Sequence, residues 1–85
     1  MNNELEIFKK KLIYRAGHRG TKEMDILLSS FVTSIINDLN ETELEKLNDF
    51  LKCNDEDIYN FYMNSIPIIE FKENKILNLF KNFKV

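Results

Sequence analysis

The chain has 85 residues, a hydrophobic share of 44%, a charged share of 31% and a formal net charge of −2. A chain of that length makes one domain, 1–85, that buries about 60% of its unfolded surface and has limited stability. High apolar content with low net charge excludes a disordered chain, and the single cysteine, Cys53, excludes a disulfide scaffold or a Cys-rich zinc site.

No apolar run approaches the roughly 20 residues of a membrane span. The start, Met1-Asn2-Asn3-Glu4-Leu5-Glu6, lacks the cationic leader and apolar stretch of a secretory signal. Its early acids do not fit a mitochondrial transit peptide either. The compartment expected on these grounds is a bacterial cytoplasm. Charge is unevenly spread: residues 1–22 sum to +4, and residues 23–73 to −9. A nucleic-acid binder would show a dominant basic face instead.

Apolar positions recur at three and four throughout, which is helical spacing. Leu5, Phe8 and Leu12 form the stripe of a first helix over 4–16, with Arg15 in its last turn, where a cation complements the helix dipole. Gly17 is placed to stop it in the left-handed conformation. The second helix is expected over 21–37, with Glu23 and Asp25 in its first turn. Met24, Leu28, Phe31, Ile35 and Leu39 make its stripe. Leu27, Val32 and Ile36 widen it, so this helix is central and buried. Asn40 and Glu43 have the spacing of a capping box for a third helix, whose inward residues are Leu44, Leu47, Phe50 and Leu51.

Asn54 is expected to cap a fourth, short helix that begins Asp55-Glu56-Asp57. Ile58, Phe61 and Tyr62 are its inner face, and Asn64 and Pro67 end it. A last helix over 70–83 presents Ile76, Leu77, Phe80 and Phe83, with Phe71 and Leu79 half exposed. The reading is an all-α fold, a bundle of five short helices joined by tight loops.

Both glycines, Gly17 and Gly20, fall in the break between the first two helices, among Arg15, His18, Arg19 and Lys22. Loops joining rigid elements are where function concentrates. The stretch Arg19-Gly20-Thr21-Lys22-Glu23-Met24-Asp25 has Tyr14-Arg15 ahead of it and Ile26-Leu27-Leu28 behind. With Asp55-Glu56-Asp57-Ile58-Tyr59-Asn60-Phe61-Tyr62 and the later Pro67, it resembles the two signature stretches of the succinate dehydrogenase assembly factor family. The resemblance covers 12–67. Phe61 stands where that family usually has Trp, which keeps the ring and loses the indole donor.

The resemblance implies a small helical assembly factor, not an enzyme. It implies a partner, the flavoprotein subunit of succinate dehydrogenase, with the flavoprotein of fumarate reductase as a further candidate. It also implies a role in covalent attachment of FAD to a histidine of that client, with no cofactor held stably by the factor and a monomer when free. The site residues it implies are Arg19, Gly20, Glu23 and Asp25, flanked by Arg15, His18 and Tyr59.

The chemistry of the residues fits such a role. Glycine lets another backbone come close. Arginine offers a planar fork to a carboxylate, a phosphate or a carbonyl-rich edge. Glutamate one turn on can orient that arginine. On this reading Arg19→Ala and Glu23→Ala should barely alter stability.

Each candidate also has a plainer account. The loop could be only a helix connection. His18, the only histidine, is a surface residue rather than a base or metal ligand. Cys53 is a partly buried structural thiol rather than a nucleophile. Asp55-Glu56-Asp57 lacks the further ligands and glycine of a calcium loop and is a helix start. Lys9-Lys10-Lys11 is a solvated face. Tyr59 packs, with its hydroxyl at the rim. No catalytic residue and no metal site is expected. The rival function is a small helical adaptor or nucleic-acid-binding module using the basic first helix and loop. Steep weakening of binding with salt would mark it.

Overall fold

Thr21 opens the central helix. Its Oγ1 accepts the Met24 N–H at 3.3 Å, satisfying one of the donors that a helix N-terminus leaves unpaired. The computed structural model describes residues 3–68 and 74–84. In chain order the helices are α1 Asn3–Ala16, α2 Lys22–Ile35, α3 Glu41–Leu51, α4 Asp55–Asn64 and α5 Lys75–Asn82, with no strand among the described residues. The all-α bundle of five short helices expected from the spacing is the one observed.

Met24, Leu27, Leu28, Phe31 and Val32 of α2 are buried, and its partners close around them. Expected to reach residue 37, α2 instead tightens at Ile36–Asp38 into one 3-10 turn. Leu39 then runs extended and is buried. The capping box of α3 is as the spacing predicts: Asn40 Oδ1 accepts the Glu43 N–H at 2.8 Å, and Glu43 Oε1 accepts the Asn40 N–H at 3.0 Å. Helix α1 packs on both α2 and α3. It inserts Leu12 and Ala16, both fully buried, while Leu5 and Phe8 are half-buried.

At the centre three rings meet. Phe80 lies 4.9 Å from Phe31 and 5.1 Å from Phe50, centroid to centroid, in the tilted and edge-on arrangements that aromatic pairs prefer. Tyr62 of α4 reaches the same point, 4.9 Å from Phe80, and donates its hydroxyl to the Phe83 carbonyl at 2.5 Å. Thus α5, only eight residues long, is anchored by one ring that touches three other elements.

Three local expectations change. Asn54 precedes α4, but its side chain makes no capping bond. Its carbonyl accepts from Ile58, and the acids of the first turn face the helix dipole. The last helix begins at Lys75 rather than 70, because Asn74 is extended and its Oδ1 caps Leu77 at 3.1 Å. Residues 69–73, including Phe71, lie outside the described residues. Neither glycine has positive φ; among the described residues the left-handed one is Ser65, at φ 56°, which ends α4. Gly17 closes α1 by donating its N–H to the Ile13 and Tyr14 carbonyls, at 3.2 and 3.1 Å.

Candidate functional site

The loop 17–21 is folded by side chains from elsewhere in the chain. Leaving α1, its backbone donors need acceptors, and carboxylates supply them. The Arg19 N–H donates to Asp25 Oδ1. The Gly20 N–H donates to Asp55 Oδ2 at 2.7 Å. Asp25 belongs to the first turn of α2 and Asp55 opens α4, so each acid also sits where the helix dipole favours it.

The Arg19 side chain turns inward. Its Nε donates to Asp55 Oδ1 at 2.7 Å. Nη1 donates to the Leu51 carbonyl at 2.7 Å and Nη2 to the Cys53 carbonyl at 2.9 Å. Leu51 ends α3 and Cys53 lies two residues beyond it, at a helix C-terminus where a cation is favourable and where free acceptors need partners. The side chain is only 10% exposed. The fork that the sequence offered to an outside partner is therefore engaged within the molecule. Removing it would strand three acceptors, which argues against the expectation that Arg19→Ala barely alters stability. Glu23 does not orient Arg19 in this arrangement; Asp55 does.

Gly20 and Glu23 remain exposed at the rim of this loop. Beside them lies a shallow depression of ≈ 370 Å³ lined by Thr21, Glu23, Met24, Asp55, Glu56 and Tyr59. Tyr59 is 46% exposed, a half-open wall rather than a core ring. The two stretches singled out in the sequence thus form one surface.

Arg15 and His18 stand apart from the clamp. Arg15 donates through Nη1 to Asn48 Oδ1 and ties α1 to α3. His18 stacks on Tyr14 with centroids 3.9 Å apart, and its Nδ1 donates to the Tyr14 carbonyl at 2.7 Å. Cys53 is half-buried, with Sγ 3.8 Å from the Asp49 carbonyl. Among the described residues no helix is long and apolar enough to cross a membrane.

Asp55 is the functional candidate that sequence reasoning missed. It reads as one of three acids opening a helix, and nothing local pairs it with an arginine 36 residues earlier.

Residues 10–84 match the model of a protein family described as flavinator of succinate dehydrogenase. The chain belongs to that family. A protein of Dictyostelium discoideum named succinate dehydrogenase assembly factor 2, mitochondrial, is 38% identical over 77 residues, 91% of this chain and 55% of its own length. The protein of that name in Saccharomyces cerevisiae is 34% identical over 90 residues, covering 87% of this chain and 56% of its own length. The FAD assembly factor SdhE of Acetobacter pasteurianus is 30% identical over 69 residues, 81% of this chain and 63% of its own length. The chain spans about half the length of the first two.

The expected bacterial cytoplasm is overturned. Relatives from Dictyostelium, Scheffersomyces stipitis and Danio rerio are named as mitochondrial proteins. The expectation rested on the lack of a membrane-length apolar run and on the first six residues. In a chain spanning about half its relatives, those residues carry no information on targeting.

Proposed function

We propose that this protein is an assembly factor that binds the flavoprotein subunit of succinate dehydrogenase and promotes covalent attachment of FAD to it. The family match over residues 10–84 is the observation that carries this reading. The factor works by positioning. It docks through the exposed edge from Gly20 to Glu23 and the adjoining depression walled by Tyr59, and holds the client where its histidine and the flavin meet. Alignment of reacting groups alone is worth up to about 7–11 kcal/mol of a barrier, so a factor without a catalytic group of its own can have a large effect. FAD is then the group attached to the client and not a resident cofactor of this chain.

The proposal extends to the flavoprotein of fumarate reductase as a second client and to a monomeric free state. Both rest on the sequence resemblance. Deleting the gene should leave the client polypeptide present with less covalent flavin, read as in-gel flavin fluorescence of the denatured subunit. A second arm incubates purified apo-flavoprotein and FAD with and without this protein. Equal fluorescence in both arms, with and without the factor, overturns the proposal.

A further inference from the structure

We infer that Asp55 is a positioning residue for the docking edge, and that Arg19 acts through Asp55 instead of touching the client. The inference rests on the proposed docking of the flavoprotein at the Gly20–Glu23 edge.

One carboxylate holds two consecutive residues of the loop. Asp55 Oδ1 takes the Arg19 side chain and Oδ2 takes the Gly20 backbone, each at 2.7 Å. A carboxylate accepting from two directions has little freedom left, so the backbone at Gly20 is fixed relative to α4. Arg19 completes the device by bonding the carbonyl of Leu51, which ends α3, and that of Cys53, in the connection to α4. The loop between α1 and α2 is thereby fastened to the junction of α3 and α4. With its side chain 10% exposed and committed to three acceptors, Arg19 has little surface to offer a partner.

Gly20 belongs to the same device. A Cβ placed there would stand 2.9 Å from Asp55 Oδ2, closer than a carboxylate oxygen can be approached without moving. Its φ is not positive, so a left-handed turn is not what the position requires. What it requires is room for Asp55. Arg19, Gly20 and Asp55 therefore form one unit with an internal task, and Glu23, which is exposed, faces the client.

The test titrates purified apo-flavoprotein subunit with the full chain carrying Arg19→Ala, Asp55→Ala, both together, Glu23→Ala, or Glu23→Ala with Asp55→Ala. Amide hydrogen exchange at Gly20 is followed in the free protein. Arg19→Ala and Asp55→Ala should each weaken binding about tenfold, in the range expected for loss of a charge-assisted hydrogen bond. Both should speed exchange at Gly20 while circular dichroism stays helical. The double variant should bind no more weakly than the weaker single variant, because both changes break one contact. The Glu23→Ala loss should multiply with that of Asp55→Ala.

Wild-type affinity in Asp55→Ala, with Glu23→Ala impaired, overturns the inference and leaves the docking proposal standing. Wild-type affinity in both overturns the docking proposal and the inference with it. Multiplying losses for Arg19→Ala and Asp55→Ala place Arg19 against the client and also overturn the inference. If Asp55→Ala does not fold, Asp55→Asn keeps the shape and loses the charge. It should bind more weakly with faster Gly20 exchange, and unchanged affinity there overturns the inference.

Discussion

Arg19 and Asp55 stand 36 residues apart, yet Nε of one lies 2.7 Å from Oδ1 of the other. An exposed ion pair contributes about 0–1 kcal/mol. This pair is more sheltered, with side-chain exposures of 10% and 28%, and the same guanidinium also satisfies two carbonyls. Arg19→Ala should therefore cost about 1–3 kcal/mol. In a domain of this size each kcal/mol lowers the melting temperature by about 4–8 °C. Arg19→Lys should recover only part, because an ammonium cannot span three acceptors as a planar fork does. Glu23→Ala, at an exposed position, should stay within about 0.5 kcal/mol. Thermal melts followed by circular dichroism make the comparison; coincident melts of Arg19→Ala and the parent would show that the clamp contributes nothing to stability.

The core offers a larger effect at one ring. Phe80 is fully buried and stacks near Phe31, Phe50 and Tyr62. Removing a buried phenylalanine ring costs about 3–5 kcal/mol, against a total of about 5–15 kcal/mol for a typical domain. Phe80→Ala should leave α5 undocked and broaden or abolish the cooperative melt. Phe80→Leu, which keeps much of the volume, should melt cooperatively at a lower temperature. Denaturant unfolding read by tyrosine fluorescence would detect both, and a parent-like midpoint for Phe80→Ala would contradict the assigned core.

These two sites differ in how far the sequence discloses them. The stripe of α2 and the Asn40–Glu43 box are legible because every partner lies within a few residues and one periodicity governs them. Asn74 carries a legible signal too, a short polar side chain three residues before Leu77, obscured by the apolar residues ahead of it. Arg19 is different. Its burial depends on where α3 ends and α4 begins, and no local pattern distinguishes a clamped arginine from a solvated one. The family resemblance pointed to a loop and a second stretch that the structure brings together on one surface. It could not say that the two meet through Asp55, because a sequence signature records which residues matter and not which of them touch.

Acid should loosen one specific contact between α3 and α5. Glu43 is held below its ordinary value of 4.5, first by its hydrogen bond with Lys75 and then by the Asn40 backbone N–H. The Lys75 Nζ–Glu43 Oε2 distance is 2.9 Å. A carboxyl whose folded pKa is depressed adds stability that is fully present above its unfolded pKa. That stability is lost as pH falls through the folded value. The loss should therefore lie below about pH 4.5. Glu43→Gln should lower the midpoint at neutral pH and flatten this part of the acid limb. Urea midpoints across that range for the parent and Glu43→Gln test it; two acid limbs of equal slope would dismiss the contribution. Raised salt should shrink the neutral-pH difference, because Lys75 is half exposed.

The two glycines should respond oppositely to a single methyl. At Gly17 an added Cβ would meet the Ile13 carbonyl at 3.7 Å and Ser29 Oγ at 3.9 Å, ordinary contacts. Its φ is not positive, so Gly17→Ala should be neutral or stabilising by about 0.4–1 kcal/mol, through a less disordered unfolded chain. At Gly20 the same methyl falls 2.9 Å from Asp55 Oδ2. The carboxylate cannot retreat without releasing the Gly20 N–H or Arg19 Nε, so Gly20→Ala should destabilise by about 1–2 kcal/mol, the order of one charge-assisted hydrogen bond. The cause can be isolated by removing the obstacle. In an Asp55→Ala background the clash is gone, and adding Gly20→Ala should cost nothing further. This makes the pair strongly non-additive, as expected for residues in contact. Gly20→Arg should behave like Gly20→Ala in stability, and any extra loss in client binding then measures what the long side chain blocks outside the molecule. Urea unfolding of the four single variants and the double variant decides it. Equal losses from Gly20→Ala with and without Asp55 would mean that the glycine answers to something other than that carboxylate.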